Sequence, residues 1–210
     1  MTTFSEAYQQ KWNERYRQAA YAYGKEPNSF FKEWLARFTP GKLLMPAEGE
    51  GRNGVYAATQ GWQVTAFDIS EAGRNKALQL AVESGVEITY LVGALDSLQF
   101  TPASFDAIGL IYAHVEADEK AAFYNTLSAC LRPGGMVLLE AFSKAHLVFN
   151  QANPAVGGPK EVDMLLSKAE IQVWFADYDI LLLEETVIHL AEGAYHNGEG
   201  AVVRFVGRKK

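Results

Sequence analysis

The chain has 210 residues, enough for one domain with a full core that needs no disulfide or metal. Its 49% hydrophobic and 21% charged residues exclude a disordered chain. A net charge of -6 argues against a nucleic-acid surface, which needs clustered Lys and Arg; the one basic cluster, Arg208-Lys209-Lys210, reads as a frayed tail.

The single cysteine, Cys130, rules out an internal disulfide and reads as a small buried hydrophobe on a helix. Met1 to Glu6 lacks the basic-then-apolar pattern of a leader, and no apolar run approaches the roughly 20 residues of a membrane span. The expectation is a cytoplasmic protein, monomer or homodimer.

The first forty residues stand apart. They hold Trp12, Tyr16, Tyr21 and Tyr23, then a helix from about Ser29 with Phe30, Phe31, Trp34, Leu35 and Phe38 at helical spacing. Leu43-Leu44-Met45 is a short first strand, followed by a glycine-rich turn and a helix through Val55, Tyr56 and Ala58. Val64 to Asp68 is the second strand, and Ser70 is a good N-cap for the next helix. Glu87 to Val92 is the third strand and Phe105 to Ile111 the fourth, nearly continuous in apolar character.

A helix from about Ala117 sets Phe123, Leu127, Cys130 and Leu131 on one face and stops at Pro133-Gly134-Gly135, before a fifth strand from Met136 to Leu139. Ser143 to Glu161, rich in Gly, Pro and Asn, reads as a loop. Ser167-Lys168-Ala169-Glu170 is a capping box opening a helix with Ile171, Trp174 and Phe175. Two long strands, Ile180 to Leu190 and Gly200 to Gly207, close the chain as an antiparallel pair. This alternation predicts an α/β domain with a mostly parallel sheet over residues 41–210, preceded by a helical arm over 1–40.

The most informative segment is Gly49-Glu50-Gly51-Arg52-Asn53-Gly54, between the first strand and its helix. Glycine permits a sharp turn and lets a ligand approach the backbone, and a carboxylate at Asp68 can accept the hydroxyls of an adenosine ribose. The spacing predicts an adenosine cofactor but does not separate a dinucleotide from S-adenosylmethionine. Three features tilt the choice to the latter. Glu48 and Glu50 would repel a pyrophosphate and suit a methionyl ammonium, an aromatic arm precedes the first strand, and an antiparallel pair closes the sheet.

At this point a resemblance becomes specific. Leu43 to Asn53 resembles the first motif of class I S-adenosylmethionine-dependent methyltransferases, in the version of the tellurite-resistance and thiopurine methyltransferase-like group. Val64 to Ser70 resembles the second motif, Phe105-Asp106-Ala107-Ile108 the fourth-strand motif, and Leu131 to Gly135 the turn before the fifth strand. Trp12 to Tyr16, with Tyr23 to Asn28, resembles the arm that covers the cofactor. The resemblance implies a Rossmann-like three-layer sandwich, a seven-stranded sheet with the last strand inserted antiparallel, S-adenosylmethionine as donor and a small acceptor with a soft thiol- or oxyanion-type nucleophile. The sequence departs from the pattern at Ala47, in place of the usual first glycine, at Glu48, in place of a small residue, and at Ala94, in place of an acid. Pro46 is tolerable only as a strand's last residue.

The expected cofactor contacts are Glu48, Gly49, Gly51, Arg52, Asn53, Asp68, Ile69, Leu95 and Asp96, with Trp12, Tyr23 and Tyr112 lining the pocket; Tyr16 is a further candidate, against core packing of the arm. Arg52 is placed to reach an acceptor anion or to form a solvated surface pair. Tyr112 and His114, just past the fourth strand, are the catalytic candidates. Glu140, Phe142 and the segment after them shape the acceptor side, and Tyr195-His196-Asn197 reads as a hairpin tip. The four histidines have no compact metal spacing. A nicotinamide- or flavin-dependent oxidoreductase and a non-catalytic S-adenosylmethionine-binding module remain the alternatives.

Overall fold

The computed structural model describes residues 4–210, with side chains from Glu6 onward; Met1-Thr2-Thr3, part of the segment read for a leader, lies outside it. Seven strands form one sheet: β1 (Lys42–Pro46), β2 (Gln63–Asp68), β3 (Thr89–Val92), β4 (Phe105–Ile111), β5 (Leu131–Phe142), β6 (Tyr178–Glu192) and β7 (His196–Lys209). Their order is β3-β2-β1-β4-β5-β7-β6. The first five run parallel, and β7 slots between β5 and β6, antiparallel to both. This is the expected topology.

Alternation along the strands builds the three layers. Leu43 and Met45 point to one face, where they pack with Phe30, Phe31 and Leu35 of α2 (Ser29–Leu35), Ala57 of α3 (Arg52–Thr59) and Ala77 of α4 (Glu71–Glu83). Leu44 points to the other, with Tyr124 and Leu127 of α5 (Lys120–Cys130) and Ile171 of α7 (Lys168–Trp174). Both caps read from the sequence form: Ser70 accepts from the Gly73 amide and Ser167 from that of Glu170. Cys130 is buried. The arm lies over α4, where Asn13 of α1 (Phe4–Tyr16) accepts from Ser70 Oγ at 2.8 Å and from the Ala72 amide at 3.1 Å.

Four local expectations are corrected. The fifth helix starts at Lys120 and buries Lys120, Tyr124, Leu127 and Cys130, while Leu131 already belongs to β5. Its inner face carries a lysine, whose Nζ donates to Leu165 O at 2.7 Å, so an apolar pattern alone misplaces it. The third strand is shorter than expected and the closing pair longer. The segment after Ser143 holds a helix, α6 (His146–Ala152), with His146 and Asn150 buried. Finally, the basic tail is sheet: Lys209 lies in β7 and donates to Ser128 O and Leu131 O, at 2.7 and 3.0 Å, where α5 ends.

Candidate functional site

The sheet changes direction between β1 and β4, and the segments leaving β1, β2 and β4 meet there, the usual ligand site of an open α/β sheet. Pro46 is the last residue of β1, so its missing amide breaks no ladder bond inside the strand. Ala47 follows with φ 50, a left-handed conformation that explains why glycine is the common choice there. Gly49 (φ 62) and Gly51 (φ 88) are also left-handed, and a Cβ on Gly51 would fall 2.5 Å from that of Ala77. The loop is thereby pressed against α4.

Both loop acids have partners inside the protein. Glu48 Oε1 accepts from the amides of Asn53 (2.9 Å) and Gly54 (2.6 Å), capping α3, and burial pushes its carboxyl up to about 7. Glu50 accepts from the Ala22 amide and from Lys76 Nζ, each at 2.7 Å, tying arm and α4 to the loop. These bonds engage one oxygen of Glu48 and both oxygens of Glu50 within the protein. They also take amides at the start of α3 that a pyrophosphate would need, which removes the ground for a dinucleotide.

Asp68 closes β2 beside this loop. Its carboxylate accepts from the Gly49 amide at 3.1 Å and the Ser70 amide at 2.8 Å, and burial pushes it up to about 6. Ile69 follows, and pairing of Asp68 with Val92 brings Leu95 and Asp96, in a short turn over Leu95–Ser97, to the same edge. Tyr90, which sequence reasoning missed, fixes the loop by donating to Gly49 O at 2.6 Å.

On the arm, Trp12 stacks on Tyr16 at 5.4 Å between ring centroids, and Arg15 donates to Tyr23 Oη at 2.8 Å. Arg52 is not in a solvated pair. It is buried and bonded to Glu192 at 2.9 Å, and its neighbour Asn53 accepts from the Asn28 amide at 2.8 Å.

Tyr112, at φ 53 after β4, donates to Glu140 Oε1 at 3.0 Å; burial and the Glu140 charge push its phenol well up. His114 Nδ1 lies 3.1 Å from Met164 O and its Nε2 accepts from the Phe142 amide at 3.2 Å. Burial draws its pKa down to about 4, so the ring is neutral and both nitrogens hold backbone.

Glu140 also accepts from Asn28 (2.6 Å) and from Arg204 Nε (2.6 Å), its cross-strand neighbour in β7. Charged residues inside apolar strands were the signal for this pair. Asn28, Arg52, Glu140 and Glu192 line a cavity of about 320 Å³. Among the described residues no group of His, Cys, Asp and Glu is arranged to hold a metal, and no helix is long and apolar enough to cross a membrane.

Residues 44–135 match the family described as a methyltransferase domain. The match covers the glycine loop, Asp68 and the strands that carry them. A ubiquinone biosynthesis O-methyltransferase of Xylella fastidiosa is 31% identical over 116 residues, 55% of this chain and 46% of that protein. The uncharacterized methyltransferase YbaJ of Bacillus subtilis is 29% identical over 108 residues, 51% of this chain and 42% of that one. The chain thus spans less than half the length of these curated relatives.

Among solved structures, one from work on conversion of a disulfide bond into a thioacetal group during echinomycin biosynthesis superposes with a TM-score of 0.76 at 16% identity, covering 99% of this chain and 93% of that one. An S-adenosylmethionine-dependent methyltransferase from Anabaena variabilis gives 0.69 at 14% identity, covering 99% and 96%. TehB from Haemophilus influenzae gives 0.68 at 16%, covering 96% and 67%. These likenesses establish the fold.

The cofactor that a methyltransferase domain of this fold implies is S-adenosylmethionine, and the residues fit it. The Asp68 carboxylate offers about four acceptor positions. The Gly49 and Ser70 amides take two, which leaves acceptors for ribose hydroxyls beside a loop without side chains at Gly49 and Gly51.

Proposed function

We propose that the protein transfers the methyl group of S-adenosylmethionine to a small acceptor carrying an oxyanion- or thiol-type nucleophile. The observation that carries this reading is Asp68, a buried carboxylate at the end of β2 that bonds the amide of a left-handed glycine loop. In the proposal Asp68 holds the ribose, Gly49 and Gly51 admit the cofactor to the backbone, and Ile69, Leu95 and Asp96 border the adenine. Glu48, Arg52 and Asn53 act through the loop and arm they tie together. The proposal takes the arm, with Trp12 and Tyr23, as the cover of the site, as the resemblance to the tellurite-resistance and thiopurine methyltransferase-like group implies. Tyr112, fixed by Glu140, borders the reacting centre; His114 holds the wall behind it.

Bound there, S-adenosylmethionine supplies an electrophilic methyl, and the protein's task is to align the acceptor with it. Such alignment is worth effective molarities on the order of 10⁵ M or more. Calorimetric titration with S-adenosylmethionine, S-adenosylhomocysteine and NADH, on wild type and Asp68→Ala, tests the reading. Only the two sulfur compounds are expected to bind. Loss of charge-assisted hydrogen bonds of about 1.5–3 kcal/mol weakens them roughly 10- to 150-fold in the variant. Tight NADH binding, or no binding of the sulfur compounds, refutes it.

A further inference from the structure

Of the three histidines that are not exposed, two are fully engaged. His114 uses both nitrogens as described, and His146 has Nε2 on Gly157 O at 3.0 Å and Nδ1 accepting from the Ala201 amide at 3.3 Å. His196 differs. It is 4% exposed, and its Nδ1 lies 2.9 Å from Glu192 Oε2 while no group among the described residues bonds its Nε2. Among those residues the one buried side-chain polar atom without a partner is Ser143 Oγ, so the unpaired Nε2 opens onto accessible space.

The carboxylate behind the ring is itself fixed. Glu192 is clamped by Arg52 at 2.9 Å and by Asn28 at 3.1 Å. Burial pushes Glu192 up, but its bonds to His196 and Arg52 outweigh this and hold it at about 2, so it is an anion that requires the proton on Nδ1. The imidazole lies 4.5 Å from the rings of both Tyr23 and Tyr112 and 5.2 Å from that of Phe142. The arm, the end of β4 and the end of β5 therefore meet at this one side chain.

We infer that His196 is the general base of the proposed methyl transfer, and that the acceptor is a neutral hydroxyl on a flat aromatic ring. This rests on the methyl-transfer reading above and replaces its ionised or thiol acceptor with a neutral hydroxyl. The hydroxyl proton passes to Nε2 as the oxygen bonds to the methyl carbon. The carbon–sulfur bond breaks, sulfur keeps the electron pair, and the positive charge moves from sulfur to the imidazolium beside Glu192. The products are an aryl methyl ether and S-adenosylhomocysteine.

The rings of Tyr23, Tyr112 and Phe142 packed around the imidazole suit a hydroxyarene, and a nucleophile that is already ionised would need no such base. The charged and titratable groups facing the ring are Glu192, Arg52, Tyr23, Tyr112 and His146. Burial lowers the His196 pKa more than Glu192 raises it, leaving a neutral base at neutral pH. Glu192 and Arg52 are positioning residues: they set which nitrogen carries the proton.

The test uses the ¹⁵N-labelled full chain. Long-range proton–nitrogen spectra at neutral pH are expected to show His196 with its proton on Nδ1 and a bare Nε2, and Glu192→Gln is expected to lower its titration midpoint. A proton on Nε2 overturns the inference. Methyl transfer from labelled S-adenosylmethionine is then followed with catechol and with thiophenol as probes. Transfer to catechol is expected to fall about 10²- to 10⁴-fold in kcat in His196→Gln, with S-adenosylmethionine affinity unchanged, and to decline in wild type as the imidazole protonates. Full activity in that variant, or transfer to thiophenol alone, overturns it. With neither probe methylated, the tautomer decides. Failure of wild type to bind S-adenosylmethionine strikes the methyl-transfer reading and leaves the tautomer result standing.

Discussion

Glu48→Gln separates a structural carboxyl from a ligand. Glu48 is buried with Oε1 on two amides of α3, and its carboxyl rises from 4.5 to about 7. The fold therefore favours the protonated form. This contribution is complete below the unfolded pKa and is lost as pH climbs through the folded one. At about 1.36 kcal/mol per unit, the rise corresponds to a loss of roughly 3 kcal/mol at high pH.

Glutamine keeps the accepting oxygen and the shape but cannot ionise. Urea unfolding at about pH 4 and about pH 8 should show near-equal stability at the lower pH. At the higher pH the variant should gain up to roughly 3 kcal/mol over wild type, less whatever its unpaired amide hydrogens cost. A gap that does not change with pH refutes the argument. The same variant should leave S-adenosylmethionine affinity intact; a collapse would return Glu48 to the ammonium role expected from the sequence.

Two further outcomes are expected. Asp68 must be ionised to accept ribose hydroxyls and burial lifts it to about 6, so the dissociation constant for S-adenosylmethionine should rise as pH falls through that value. A flat calorimetric profile would contradict this. Lys209→Met removes two bonds to carbonyls at the end of α5 and should lower stability by about 1–3 kcal/mol in denaturant melts, whereas a frayed tail would give no change.

The parts legible in the sequence were those governed by local chemistry. Ser70 and Ser167 are caps because a hydroxyl reaches an amide three residues on, and Asp68 ends its strand because the apolar alternation stops there. What escaped were roles set by distant partners. Glu50 meets Ala22 and Lys76, Arg52 meets Glu192, and Lys209 meets the end of α5; no spacing rule ties such positions. His196 was hidden by its place next to the hairpin turn. A turn reads as solvent, but this one docks on the arm, where the Ala194 amide donates to Ala22 O at 3.0 Å. The Glu192–His196 pair lies where β6 and β7 run past the ends of the expected strands, so no register read from the sequence sets the two residues face to face.

That docking has a consequence for the order of assembly. In the sheet β6 touches only β7, so the strand synthesised first must wait for its single neighbour before it can join β5. The arm, made before the sheet, meets Gly193 and Ala194 through backbone too close to admit a Cβ at Gly193, which would fall 2.4 Å from Ala22 O. Its dock therefore does not exist until the last strand is nearly complete. Contacts of such sequence separation form slowly, because a long loop must close before they repay it. The parallel strands β1 to β5 can therefore pair before the arm has its dock.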